Sequence, residues 1–279
     1  MKSSEVRSQK SEFRVIVCVK VVPRPEEVKV DEATMTLSRE HVRSMMNPPD
    51  FYALEEAISM KERMNQPVEV MVITMGPPLA EPYLRVALMM GADQAVLITD
   101  RAFAGADTLA TSYTLAKAIE KLGADLVVCG EESSDGATAQ VPPGIAEWLN
   151  WSQVTYCKTL TLSPSPLAGE GRGEGRLIAW RELGPIEEQI EVNLPAVVSV
   201  TVGSSTPRFL SEERMVWAQT TPLVKWTLKD LDVDTALIGL TGSPTRVEGL
   251  KRVKTPERRR QRIEGTPEQQ AAALATLLR

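Results

Sequence analysis

The residues best suited to chemistry lie in one stretch, CGEESSDGATAQVPPGIAEWL at positions 129–149. A continuous apolar run, Leu126-Val127-Val128-Cys129, precedes it and reads as a buried strand. Val141, Ile145 and Leu149 share one stripe of the helix that follows. Between strand and helix stand small and polar residues: Gly130, Ser133, Ser134, Asp135, Gly136, Ala137, Thr138, Ala139 and Gln140. A strand, a small-residue loop and a helix N-terminus together suit phosphate binding. Unpaired N–H groups and the positive end of the helix dipole point at one place, and missing side chains let a ligand approach the backbone. Pro142 and Pro143 fit the helix opening, where N–H groups have no helical acceptor. An ordinary strand-to-helix connection has the same parts, so the loop alone leaves both readings open.

Three further segments must be brought to that loop if it is a site. Residues 14–22 (RVIVCVKVV) read as a strand whose apolar run, with Cys18 and Val19, is interrupted by Lys20. A charge there belongs at the carboxyl edge of a sheet, as a ligand contact or as a solvated strand end. Asn47, Pro48 and Asp50 open a helix, with Asn47 as a plausible N-cap and a proline at the first position. The strand at 68–75 ends at Met75, before Gly76-Pro77-Pro78.

Helices are expected at about 80–90, closed by Gly91, and from about 105 to 122, closed by Gly123. A strand at 95–99 lies between them, and a short hairpin is expected at 28–37. Strands alternating with helices predict an α/β fold, a doubly wound and mostly parallel Rossmann-like sheet. Its switch point is where a nucleotide would lie. After Trp151 the pattern changes to alternating strands at 154–162, 177–183 and 186–192, an antiparallel hairpin section, and then a buried strand at 196–202.

The chain is expected to divide into a disordered leader at 1–12, a nucleotide-binding domain at 13–203 and an arm at 204–279. The Gly-, Pro- and Ser-rich residues 163–175 read as a flexible insertion at a hairpin tip. The sheet is expected to close before Ser204. Trp217 and Trp226 sit in polar surroundings, which suggests that another surface covers them.

Bulk properties narrow the function. A net charge of -5 argues against a general nucleic-acid binder, and the basic run at 258–262 fits a solvated or partner-facing segment better. The apolar and charged fractions of 43% and 25% are those of an ordinary globular chain. No apolar run is long enough to span a membrane. The polar start of the chain lacks the apolar region of a secretory signal. Three unpaired cysteines give no metal or redox motif and suit a reducing cytoplasm. His41 is the only histidine, in a predicted hairpin or loop, and no nucleophile–histidine–acid set is present. Asp135 reads either as a cap for N–H groups of its own loop or as a contact to a ribose hydroxyl, with capping favoured.

Several motifs, taken in order, resemble the beta subunit of electron transfer flavoproteins. They are CVKVVP, NPPDFYALEEAI, VITMGPP with LRVALMMGADQAVLITD, GADTLATS, DLVVCGEESSDGATAQVPP, NLPAVVSVTV with TPRF, and GSPTRV with EGTPEQQAAAL. The resemblance spans about residues 13–279 apart from the insertion. It implies an electron-carrier subunit with no catalytic residues of its own, paired with an alpha subunit that carries the FAD. This chain would then hold AMP or a second FAD. It also implies nucleotide contacts at Cys18, from Asn47 to Asp50, at Met75 and from Gly130 to Val141, and an arm that wraps the alpha subunit. Dehydrogenases or quinone reductases are the implied redox partners. ATAQVPP and GSPTRV look more like the FAD-holding branch, which is associated with electron bifurcation and nitrogen fixation. That branch usually has Asp where this chain has Ala137, and Gly where it has Pro142. Glu212 falls in the loop implied to dock onto partners, where relatives carry an apolar Leu, so a charge there suggests a different partner. Two other classes stay open on sequence: a nucleotide-hydrolysing enzyme of similar fold, for which no GxxxxGK[ST] loop is present, and an AMP-binding scaffold without a redox role.

Overall fold

A computed structural model describes residues 13–24, 29–31, 36–38, 43–163, 175–246, 260 and 262–278. The leader at 1–12, residues 164–174 of the insertion at 163–175, His41 and most of the basic run lie outside the described residues.

The first apolar run forms β1 (Phe13–Cys18) and, past Val19 and Lys20, β2 (Val21–Pro23). The predicted hairpin is β3 (Lys29–Asp31) against β4 (Thr36–Ser38). β5 (Ser44–Met46) pairs with β2 and delivers the chain to Asn47. There follow α1 (Pro48–Arg63), β6 (Val68–Met75), α2 (Glu81–Met90), β7 (Gln94–Ile98), α3 (Thr108–Leu122) and β8 (Leu126–Gly130). α2 stops at Gly91, whose φ of +140° suits glycine alone. Asp107 caps α3 by accepting from the N–H groups of Leu109 and Ala110 at 3.0 and 3.1 Å. α4 (Val141–Leu149) then leads into β9 (Ser152–Ser163), β10 (Arg176–Leu183), β11 (Ile186–Asn193) and β12 (Ala196–Val200).

Among the described residues the main sheet has nine strands, in the order β11-β10-β9-β12-β8-β1-β6-β7, closed at the far edge by β13 (Val224–Trp226). Pairing is parallel from β9 through β13, and β10 and β11 are antiparallel. Helices cover both faces, which is why the strands are apolar on both sides. Val15, Val17, Val70 and Val128 face Leu54, Ile58, Leu84 and Leu88 of α1 and α2. Ile16, Met71, Ile73 and Val127 face Ile119 of α3 and Ile145 of α4. Leu54 and Ile145 are fully buried, and each such burial contributes roughly 1.5–3 kcal/mol. The carboxyl ends of β1, β6 and β8 therefore open on one edge.

The expectation that the sheet closes before Ser204 is overturned. β13 adds to β7 in register, with Val224 opposite Val96 and Trp226 opposite Ile98. Trp226 is a core residue at 7% exposure, and the Lys121 ammonium lies 4.4 Å from its ring centroid. A three-residue edge strand is too short to show a period in sequence. The packed unit runs on past it, with Leu231 and Ile238 buried in the α3–α4 core. Thr245 then donates its hydroxyl to Asp107 at 2.7 Å. Trp217 differs from Trp226. It lies on α5 (Glu212–Thr220), stays partly exposed and stacks under the Arg214 guanidinium at 4.1 Å. The final helix, α6 (Pro267–Leu277), has Leu274 and Leu277 at least half exposed.

Candidate functional site

Four elements meet at the carboxyl edge: the ends of β1 and β8, and the N-termini of α1 and α4. Asn47 ties the ends of β1 and β8 to α1. Its Nδ2 donates to Asp50 Oδ1 at 2.9 Å and to the Glu132 carbonyl at 2.8 Å. Its Oδ1 accepts from the Ser134 N–H at 2.9 Å, and its own N–H donates to the Lys20 carbonyl at 2.9 Å. Asn47 occupies the N-cap position of α1 as expected, yet its side chain makes no capping bond to that helix. It is spent on the 132–134 loop instead.

Asp50 lies beneath this junction and is buried. It accepts from the Lys20 N–H at 2.6 Å as well as from Asn47. Burial pushes its carboxyl up to about 7, against the pull of Asn47, the Lys20 N–H and charge, and the Gly130 N–H. Gly130 is required where it stands, because a Cβ there would meet Asp50 Oδ1 at 2.4 Å and Pro49 Cβ at 2.8 Å.

Lys20 is exposed and reaches across the groove. Its Nζ donates to Asp135 Oδ1 at 2.6 Å and Ser133 Oγ at 3.2 Å. The Asp135 carboxylate thus takes the Lys20 ammonium in addition to the local hydrogen bonds from the Ser133 side chain and its own N–H. Burial alone would raise the Asp135 carboxyl, but the hydrogen bond and charge of Lys20 outweigh it and hold it below its ordinary value.

The loop itself is held by a turn in which Gly136 and Ala137 N–H groups donate to the Ser133 carbonyl at 3.3 and 2.7 Å. Ala137 and Ala139 both adopt left-handed backbone, at φ +45° and +54°, a conformation that costs a non-glycine residue energy. Gln140 follows in right-handed backbone at φ -91°. Alternation of this kind turns successive N–H groups toward a common point, a concavity suited to an anion. Among the described residues, the N–H groups of Thr138, Ala139, Gln140 and Val141 have no acceptor. The helix supplies less than its dipole suggests. Pro142 and Pro143 have no N–H, and the Gly144 N–H is already bonded to the Gln140 carbonyl at 3.0 Å. The free donors therefore belong mainly to the loop.

The remaining expected residues fall around this loop. Cys18 and Val19 are buried at the end of β1, and Cys18 sits in register with Cys129 of β8. Met75 is half-buried at the end of β6 on the same edge. Pro48 is exposed at the start of α1. Cys18, Cys129 and Cys157 are all free thiols. The Cys18 side chain and burial together push the Cys129 thiol well above its ordinary range, so it is an inert packing group. Glu212 is exposed at the first turn of α5, which packs on α2 apart from the loop. Among the described residues no cluster of His, Cys, Asp or Glu could hold a metal ion, and no helix is long and apolar enough to cross a membrane. The reading of single residues missed the Glu132 carbonyl, the Pro49 contact with Gly130 and the far wall formed by β9 and β10. None of these leaves a local signal.

Ser243 and Thr245 of the GSPTRV motif bond to Asp107, so the described parts of the motifs lie on the same fold as these strand ends and the loop. The family described as the electron transfer flavoprotein domain matches residues 34–231. The chain belongs to the electron transfer flavoprotein family. It is 44% identical over 236 residues to the electron transfer flavoprotein subunit beta of Clostridium acetobutylicum, covering 85% of this chain and 86% of that one. It is 41% identical to the caffeyl-CoA reductase-Etf complex subunit CarD of Acetobacterium woodii, covering 84% and 86%. It is 39% identical over 270 residues to protein FixA of Bradyrhizobium diazoefficiens, covering 93% and 88%. These relatives bear out the resemblance to the beta subunit and to the branch associated with bifurcation and nitrogen fixation.

Proposed function

We propose that this chain is the beta subunit of a heterodimeric electron transfer flavoprotein, holding a nucleotide, AMP or a second FAD, in the 130–141 loop. The observation that carries this reading is the run of acceptor-free N–H groups from Thr138 to Val141 at the edge where β1, β8, α1 and α4 meet. A phosphate fits there by charge and by donor count. The Thr138–Val141 N–H groups would hold it, Lys20 would add positive charge, and Cys18, Val19, Asn47 and Met75 would border the nucleoside. A flavin, when bound, supplies one- and two-electron chemistry that side chains lack. The residues of this chain bind and orient it, and Asn47 and Asp50 keep the loop in place.

FixA and the caffeyl-CoA reductase complex subunit among the relatives support the second-FAD reading and, with it, bifurcation. The exposed leucines of α6 support a partner-binding arm that engages an alpha subunit. Phe209, 99% exposed just before Glu212, supports a docking surface for dehydrogenase or quinone-reductase partners. Three free thiols fit a cytoplasmic setting. The test is co-expression with the alpha subunit, denaturation of the purified complex, and a count of FAD and AMP per heterodimer. One FAD plus one AMP makes this subunit structural, and two FAD make it a second redox site. No nucleotide beyond the alpha subunit's FAD overturns the reading.

A further inference from the structure

Next to the 130–141 loop lies an open cavity of about 420 Å³, lined by Ala139, Gln140, Pro143, Thr155, Tyr156 and Arg181, with Gln153 at its side. It shares Ala139 and Gln140 with the run of free N–H groups, so it continues that site away from the β1 end. Its far wall comes from the hairpin section, which a mononucleotide held by the loop alone would not need.

Both strands of that wall are irregular at the cavity. Tyr156 has left-handed backbone at φ +59°. Pairing between β9 and β10 shifts register between Trp180 and Arg181. Bulges re-aim side chains, and they recur beside binding sites. Arg181 is mostly shielded from solvent and is held from β11, where Glu188 stands opposite in register. Arg181 Nε donates to Glu188 Oε2 at 2.8 Å, and Nη2 stands in ion-pair contact with the same oxygen at 2.8 Å. These contacts hold the guanidinium plane and leave Nη1 out of the pair. A guanidinium fixed in this way is suited to a phosphate oxygen, which it binds by directional, charge-assisted hydrogen bonds.

We infer that Arg181 marks a second phosphate subsite, so the loop and hairpin together select a pyrophosphate-linked nucleotide over a monophosphate. The inference rests on the nucleotide reading of the 130–141 loop. Glu188 sets its strength. As the countercharge of Arg181 it opposes an incoming anion, and its neutralisation strengthens binding.

The test titrates the full-length chain, stripped of nucleotide, with AMP, ADP and FAD. The wild type binds ADP and FAD more tightly than AMP. Arg181→Gln lowers affinity for ADP and FAD by about tenfold or more and changes AMP less than about twofold. Arg181→Lys recovers only part of the loss, because it keeps the charge without the fork. Glu188→Gln, which leaves Arg181 in place, tightens ADP more than AMP. Equal losses for AMP and ADP in Arg181→Gln, or no change for either, overturn the subsite. A wild type that binds AMP as tightly as ADP also overturns it, while the loop reading stands. A wild type that binds none of the three overturns the loop reading itself.

Discussion

The carboxylate of Asp50 occupies the space a side chain on Gly130 would need: a Cβ there would come within 2.4 Å of its Oδ1. The end of β8 and the start of α1 are thus packed backbone to carboxylate, with Pro49 Cβ 2.8 Å from the same point. Gly130→Ala is expected to push α1 off the strand ends. Overpacking of this kind costs about 1–3 kcal/mol. Urea denaturation measures that loss, and nucleotide content of the purified variant should fall with it. An unchanged denaturation midpoint would show that the junction yields freely.

Asp50 also makes stability depend on pH. Its carboxyl lies at about 7 in the fold, against an ordinary value of 3.8. Between those values the folded chain holds a proton that the unfolded chain has lost. Stability therefore falls as pH rises from about 4 to about 7 and levels off above, by up to roughly 4 kcal/mol from this one group. Melting temperatures across that window, for wild type and Asp50→Asn, isolate the contribution. The slope is expected to be shallower in the variant, and equal slopes would contradict it.

Arg208 fastens the segment after β12 to α1. Its Nε and Nη2 donate to the two Glu55 oxygens, each at 2.9 Å, and its Nη1 donates to Glu62 Oε1 at 2.6 Å. Glu55 is buried, so Arg208→Ala removes the countercharge of a buried carboxylate and leaves it only the Ser59 hydroxyl and a backbone N–H. With Arg208 itself partly solvated, the loss is expected to be about 1–3 kcal/mol, below that of a fully buried pair. Arg208→Lys is not expected to restore it, since one ammonium cannot span both carboxylates. Denaturant midpoints of the two variants check this.

Truncation separates the packed part of the C-terminal region from the rest. Removing everything from Ser204 strips β13 from β7 and uncovers the core around Trp226. That chain is expected to aggregate or unfold, because a bare edge strand pairs promiscuously. Removing residues 247–279 keeps β13 and the Asp107–Thr245 contact and deletes α6. This chain is expected to stay folded with a melting temperature close to wild type, and to lose co-purification with an alpha subunit. Retained co-purification would remove the arm role from α6.

Much of the fold was legible in the chain. The apolar runs at Val15–Cys18 and Leu126–Cys129, the proline openings at Pro48 and Pro142, and the glycine stops at Gly91 and Gly123 are local signals, because each depends on backbone geometry within a few residues. Those signals also placed the loop from Gly130 to Val141 at the carboxyl edge. What Asn47, Asp135 and Trp226 bond to was decided by tertiary structure. The Asn47 amide was taken from its helix by Glu132 and Ser134, the Asp135 carboxylate by Lys20, and Trp226 by the edge of β7. Arg181 and Tyr156 reach the cavity only because β9 lies beside β12, and β10 beside β9, in the sheet order. Periodicity records which side of an element is apolar. Strand order and register decide which polar groups from distant segments come within hydrogen-bonding reach, and those follow from burying the whole core at once.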